Sequence, residues 1–418
     1  MRRKRKLSKK FKNLLFFICV IVLIVFIIKG LIPKGDNKSK NIKEERTTYK
    51  NKLINNTDEV IDVELEKFLV SFFDDYYKSI KNLEAIDMKE YFSEKALKEY
   101  YIYQASIETL IASRTKQIND LKLYDAYYDL SIDNYELKDG EYQLDVMEDG
   151  YYNFNFMKNI TSKSFDILNN FRLVKEKGKY KITMYSKEQD FYLMIDDVVD
   201  YELSDSDIKN AIDTLKEKYI KQYDRMYEGS LSDFDSYKND KNHSFKKCDN
   251  AYHGVKASDF MKSHITEETE VYYGGFNGNS QNVVSWSLNA GGIPMDTKGY
   301  QLWKYYDSWL DDYNREEGRT ASWTNTKEFY NYASKNDGYG LCSEVDVNTY
   351  YGEIGDILLM GYEGEYSYSS LVIDKIKDKN NNTIDILVAS NTEDMFDYPI
   401  SAFPYPLKSL IKVLGWNN

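Results

Sequence analysis

Histidine, cysteine and proline are all scarce in this chain of 418 residues, and each shortage excludes something. There are three cysteines: Cys19 lies in an apolar run, and Cys248 and Cys342 can form at most one disulfide, so no disulfide framework exists. With no CxxC pair and only His243, His253 and His264, no ordinary Cys/His zinc site can be assembled, and we expect neither metal nor cofactor. No histidine lies beyond position 264, so the C-terminal part has no imidazole for acid–base work. Five prolines and 21 glycines exclude collagen-like or linker-dominated architecture. A basic stripe of the kind that grips phosphates is also missing, which argues against a nucleic acid partner.

What is present is apolar, acidic and rich in tyrosine. Hydrophobic residues make up 42%, enough for sizeable cores. The 39 tyrosines, against 5 tryptophans, suit half-buried β surface and wet interfaces. Residues 2–12 hold eight basic side chains and no acid; taking those eight from the net charge of -12 leaves -20 for the rest. That remainder reads as a solvated, soluble surface.

After the basic tail (residues 1–13) comes an apolar run, LLFFICVIVLIVFII, over residues 14–28. Lys29 can snorkel, so residues 14–32 are long enough to act as one transmembrane anchor. The preceding positive charge places the N-terminus inside and the remainder outside the cell membrane. No small-x-small cleavage site follows, which favours an uncleaved anchor over a signal peptide. Residues 33–57 are polar and read as a stalk.

An α+β ectodomain is expected beyond the stalk. Apolar residues at helical spacing start near Val60, and a second helical stretch spans about 88–120, with Asp87 or Ser93 available as caps. Alternating segments follow at 124–137, 141–146, 151–157, 164–175 and 180–185, with turns expected at Asp139-Gly140, Asp149-Gly150 and Lys177-Gly178. Helices followed by a strand meander resemble the NTF2-like cone fold over 58–200, which implies a spacer or a homodimerisation domain. A helix over 204–227 is capped by Ser204 or Asp205 and striped by Ile208, Ile212, Leu215, Tyr219 and Tyr223; residues 228–247 read as its linker.

Residues 248–418 resemble the putative amidase domain of Gram-positive surface proteins, a relative of the NlpC/P60 and papain-like cysteine hydrolases. Four stretches carry the resemblance: YHGVKASDF (252–260), NVVSW with LNAGGIPM (282–295), SWTN with FYNY (322–332), and GDIL (355–358). The resemblance implies amide hydrolysis by a helix-terminal thiolate, a histidine base and a polar third residue. Where the family has D-C-T-N, this chain reads Asn279-Ser280-Gln281-Asn282, so Ser280 stands at the nucleophile position. Ser369 (or Tyr368, one residue away) stands at the histidine position, and Asn391 at the third. Asn279 and Ser280 also read as simple caps of the following helix.

Nucleophile and base are thus both replaced, which predicts a binding or assembly module at the cell surface, taking a cell-wall peptide or a protein partner. The alternative is an active hydrolase in which Ser280 uses a base other than histidine, with Lys375 and Asp374 nearest in sequence. Trp286, Trp303 and Trp323, with Tyr305 and Tyr306, are the candidate cleft aromatics; core packing is their other reading.

Overall fold

The computed structural model describes residues 51–240, 243–265, 280–298, 302–306, 318–391 and 394–418. The expected anchor at 14–32 lies outside the described residues, and among the latter no helix is long and apolar enough to cross a membrane. Helix α1 (Val63–Asn82) starts where Asp62 accepts from the Leu65 N–H at 2.8 Å, and ends at Leu83, whose φ of 56° turns its own N–H back to Ser79. Its buried stripe of Leu65, Leu69, Phe72, Phe73, Tyr76, Tyr77 and Ile80 follows the helical spacing of the sequence.

The second helical stretch is shorter than expected. Asp87 takes the Lys89 N–H and Ser93 the Lys95 N–H, so both residues cap turns that precede the helix rather than the helix itself. Helix α2 (Leu97–Thr115) then starts after Ala96, with no side-chain cap.

Strands β2 (Leu123–Lys138), β3 (Glu141–Phe154), β4 (Ser162–Glu176) and β5 (Lys179–Lys187) form an antiparallel meander beside these helices. Asp139-Gly140 and Lys177-Gly178 make the expected tight hairpins, all four residues having positive φ. Asp149-Gly150 does not turn: β3 runs straight through it. A Cβ on Gly150 would lie 2.3 Å from the Tyr152 hydroxyl and 2.7 Å from that of Tyr77, so this glycine makes room for buried tyrosines. Within the expected stalk at 33–57, residues 52–55 form a strand, β1 (Lys52–Asn55), that pairs in parallel with β2, and residues 33–50 lie outside the described residues.

After α3 (Asp190–Asp196), helix α4 (Asp205–Asn239) shows the expected Ser204 cap and the expected buried stripe. It continues through residues 228–239, which had read as linker. Phe234 and Tyr237 lie 4.9 and 5.9 Å from Tyr350, and the Asn348 side chain bonds the Asp233 carbonyl at 2.8 Å. Tertiary contacts, not propensity, hold these last turns.

The C-terminal part carries α5 (Gly254–His264), α6 (Ser280–Ala290), α7 (Ala321–Thr324) and α8 (Thr326–Lys335), followed by strands. These are β6 (Gly340–Val347), β7 (Ile357–Tyr362), β8 (Glu365–Lys377), β9 (Thr383–Ser390), β10 (Met395–Pro399) and β11 (Leu407–Asn417). They continue the meander's sheet, because β10 pairs with β4, giving the order β1-β2-β3-β4-β10-β9-β8-β7-β11-β6 with β5 beside β4. Cys248 and Cys342 form the one disulfide the sequence allows, tying the entry of this part to β6. Mixed helices and antiparallel strands make the fold α+β, as expected.

Between α1 and the meander lies a buried ion pair. Lys187 and Glu148 meet at 2.7 Å with both side chains fully inside. Tyr77 donates to Glu148 at 2.8 Å, Asn169 donates at 3.2 Å, and the lysine lies over the Tyr76 ring at 4.5 Å. Such a pair is costly to desolvate and costlier to break. Lys187→Met alone should destabilise the fold by about 3–5 kcal/mol in urea unfolding, because it strands a buried carboxylate. The double variant Lys187→Met/Glu148→Met should recover most of that loss; equal loss in both would contradict this account.

Candidate functional site

Helix α6 is buried on nearly every side, so its polar side chains must find partners inside the protein. Close backbone approach places it there. Gly254 at the start of α5 lies against the Ile354 carbonyl, where a Cβ would sit 2.0 Å from the oxygen. Gly355 has φ +95°, and the Tyr252 hydroxyl bonds its carbonyl at 3.0 Å. The next residue, Asp356, accepts from Lys412 at 2.9 Å and from the Val413 and Glu353 N–H groups. Burial raises its pKa despite the lysine, and it braces β7 against β11 rather than facing α6.

Ser280 and Ser369 come together. The Ser280 hydroxyl accepts from the Ser369 N–H at 3.2 Å, and both residues are buried. Helical backbone already includes Ser280, so its hydroxyl bridges to β8 instead of capping α6. Ser369 donates its own hydroxyl to Gln281 at 2.6 Å and lies 3.1 Å from the Thr326 hydroxyl. Asn391 follows the end of β9; continuing the β8–β9 register beyond Leu371↔Ala389 sets it across from Ser369. Ser390 donates to the Ser369 carbonyl at 3.1 Å, while the buried Asn391 Oδ1 has no hydrogen-bond partner among the described residues. Asn391 makes no bond to Ser280 or to the Ser369 side chain among the described residues.

The network continues into the tryptophans. Gln281 donates to Ser285 at 3.1 Å; Ser285 accepts from the Trp303 indole at 3.1 Å and donates to the Trp323 carbonyl at 2.8 Å. The Trp323 indole in turn bonds Asn282 at 2.8 Å. Trp303 and Trp323 are fully buried and stacked 4.4 Å apart, so they belong to the core and present no face to a ligand. Trp286 is half-buried against Trp323, Tyr305 stands beside Trp286, and Tyr306 is exposed.

Chemically this cluster holds hydroxyls, amides and indoles. Among the described residues, no carboxylate, amine or imidazole is hydrogen-bonded to Ser280, Gln281 or Ser369. Lys375 is paired with Glu353, and Asp374 accepts from the Lys375 N–H. His243 pairs with Asp240 and stacks on Tyr351; His264 stacks on Phe260. Tyr368, the neighbouring position on β8, packs on Tyr405. The arrangement can hold a shape and offer hydrogen bonds, but among the described residues no base is bonded to Ser280 to take its proton.

Among the shifted ionisable groups elsewhere are Asp385 and Lys408, and motif reading gave no signal for either. Asp385 on β9 accepts from Asn119 at 3.0 Å, from Ser401 and from the Ile386 N–H, and burial raises its pKa to about 6. Lys408 on β11 donates to the Ile400 and Phe403 carbonyls at 2.8 and 3.0 Å, and burial lowers its pKa to about 8. Because the folded-state pKa of Asp385 exceeds the unfolded 3.8, its contribution to stability is complete below that value. That contribution is lost as the pH rises to about 6. The stability difference between wild type and Asp385→Asn should therefore move by roughly 2–3 kcal/mol across this window in urea titrations. A pH-independent difference would refute it.

A search of curated proteins finds no match to the chain. Residues 251–412 match the model of the family described as "Putative amidase domain", the stretch that contains α5, α6 and the strands around Ser369, so the chain contains that domain.

Proposed function

We propose that this is a membrane-anchored extracytoplasmic protein whose amidase-like domain binds or assembles rather than cleaves. The observation that carries the reading is the bond partner of Ser280, a backbone N–H on β8, within a cluster that contains hydroxyls and amides. A serine nucleophile needs a base in hydrogen-bond reach, and losing nucleophile and base together removes several orders of magnitude in rate. In this reading Ser280, Ser369 and Asn391 stand at the positions that the family resemblance implies for nucleophile, base and third residue. The contact between the first two, with the third just beyond the end of the neighbouring strand, supports that alignment.

In this reading the papain-like scaffold keeps its shape because two of the replacements, Ser280 and Ser369, bond one another. The Cys248–Cys342 disulfide suits an oxidising, extracytoplasmic setting, in keeping with the apolar segment at 14–32. The ligand would be a cell-wall peptide or a protein partner, with the NTF2-like part as spacer or dimer contact.

The test is incubation of the purified full chain with cell-wall fragments and peptide-amide libraries, with products read by mass spectrometry. No product is expected from either wild type or Ser280→Ala. Turnover that disappears in Ser280→Ala would overturn the proposal.

A further inference from the structure

Helix α4, the segment after α2 and the strands around Asp385 border a half-open cavity of about 270 Å³, whose lining shares no residue with the hydroxyl cluster of α6 and β8. That volume is near the lower end of small-ligand sites, about 300 Å³. Met226, Gly229, Ser230 and Asp233 line it from one face of α4, at helical spacing.

The two ends of the cavity differ in charge. At the inner end Asp385 and Lys408 are buried, close enough to influence one another, and largely occupied by the partners given above. At the mouth, Asp233 is on the helix surface, and no basic side chain is paired with its carboxylate among the described residues; partial burial raises its pKa. Tyr350 lines the wall between them and lies near enough to both carboxylates to sense their charge.

We infer that this cavity is a binding site for a small ligand carrying one primary ammonium group and an uncharged hydrogen-bonding part, such as an amidated lysine unit. The unpaired carboxylate at the mouth calls for a cation. The inner end calls for a neutral donor–acceptor, because a second cation would meet Lys408 and an anion would meet Asp385. The acidic charge of the chain beyond its N-terminal tail favours approach of the cation. This inference goes beyond the binding-module reading and does not depend on what the α6 cluster does.

Gly229 provides a clean test. A Cβ added there meets no atom within 4 Å, so a leucine can fill the cavity without a clash at its root. Replacing glycine inside a helix should also raise helix stability. The probe is Nα-acetyl-L-lysine methylamide, compared with its Nε-acetylated form and measured against the full chain by saturation-transfer NMR. The charged probe should bind with a Kd of about 1 mM or tighter, ordinary for a ligand of its size. The neutral probe, and the charged probe with Asp233→Asn, should each bind about tenfold more weakly. Gly229→Leu should abolish binding while unfolding cooperatively at or above the wild-type temperature. Equal binding of both probes, no binding below about 10 mM, or binding unchanged in a folded Gly229→Leu variant would overturn the inference.

Discussion

One edge pairing, β4 with β10, decides the architecture. Without it the start of β4, ahead of its pairing with β5, and the outer side of β10 would expose unpaired backbone N–H and C=O groups. With it, Phe396 lies opposite Lys163, Ser162 bonds the Asp397 carbonyl at 2.7 Å, and the two halves share one sheet. Contacts on either side follow from that join. Arg114, buried at the end of α2, bonds the Tyr398 hydroxyl at 2.8 Å just beyond the seam. Asn119 reaches the Ile384 carbonyl and Asp385, and Tyr237 of α4 lies against Thr383. The cavity beside Asp385 exists because these elements converge there. Its walls come from parts of the chain that would belong to separate domains if the seam were open.

The α6 cluster has a different logic. A helix buried nearly all round must satisfy each polar side chain internally, and a half-satisfied network would be worse than an apolar one. Ser287 bonds back to the Val283 carbonyl, Ser285 joins two tryptophans, and Ser280 joins β8. Serine at 280 and 369 keeps these links short. A larger ionisable group would need its own counter-charge in a space where the described partners are neutral. The bonds that hold the fold at Ser280 are, among the described residues, bonds to neutral groups, which is why the proposed binding reading and the stability of the scaffold are one argument.

Legibility in the sequence followed the range of the interactions involved. The α4 stripe from Ile208 to Tyr223 and its Ser204 cap were readable because helical period and capping act within a few residues. The Asp139-Gly140 and Lys177-Gly178 hairpins were readable for the same reason. Asp149-Gly150 carries an identical local turn signal, yet the hydroxyls of Tyr77 and Tyr152 decide its conformation, and Tyr77 lies on another element. Residues 228–239 are polar and look like linker, because the partners of Phe234 and Tyr237 are Tyr350 and Tyr351, far along the chain. In the site, the absence of histidine after position 264 needed no structure. The inward placement of Trp303 and Trp323 did, since aromatic content does not distinguish a cleft wall from a core.

Asp385 and Lys408 show why buried ionisable groups escape motif reading. Asp385 lies between two isoleucines on a strand, and Lys408 follows a leucine at the start of another; neither has a distinctive spacing. Their partners are a loop asparagine, a serine from a short helical turn and two backbone carbonyls, all supplied by the seam. Burying a carboxylate and an amine close together is expensive unless donors and acceptors meet each of them. Here they do, and Asp233, which lines the same cavity, has no basic partner among the described residues. An otherwise well-matched set of polar groups thus leaves one carboxylate open to solvent beside a cavity, and a cation from outside would complete it.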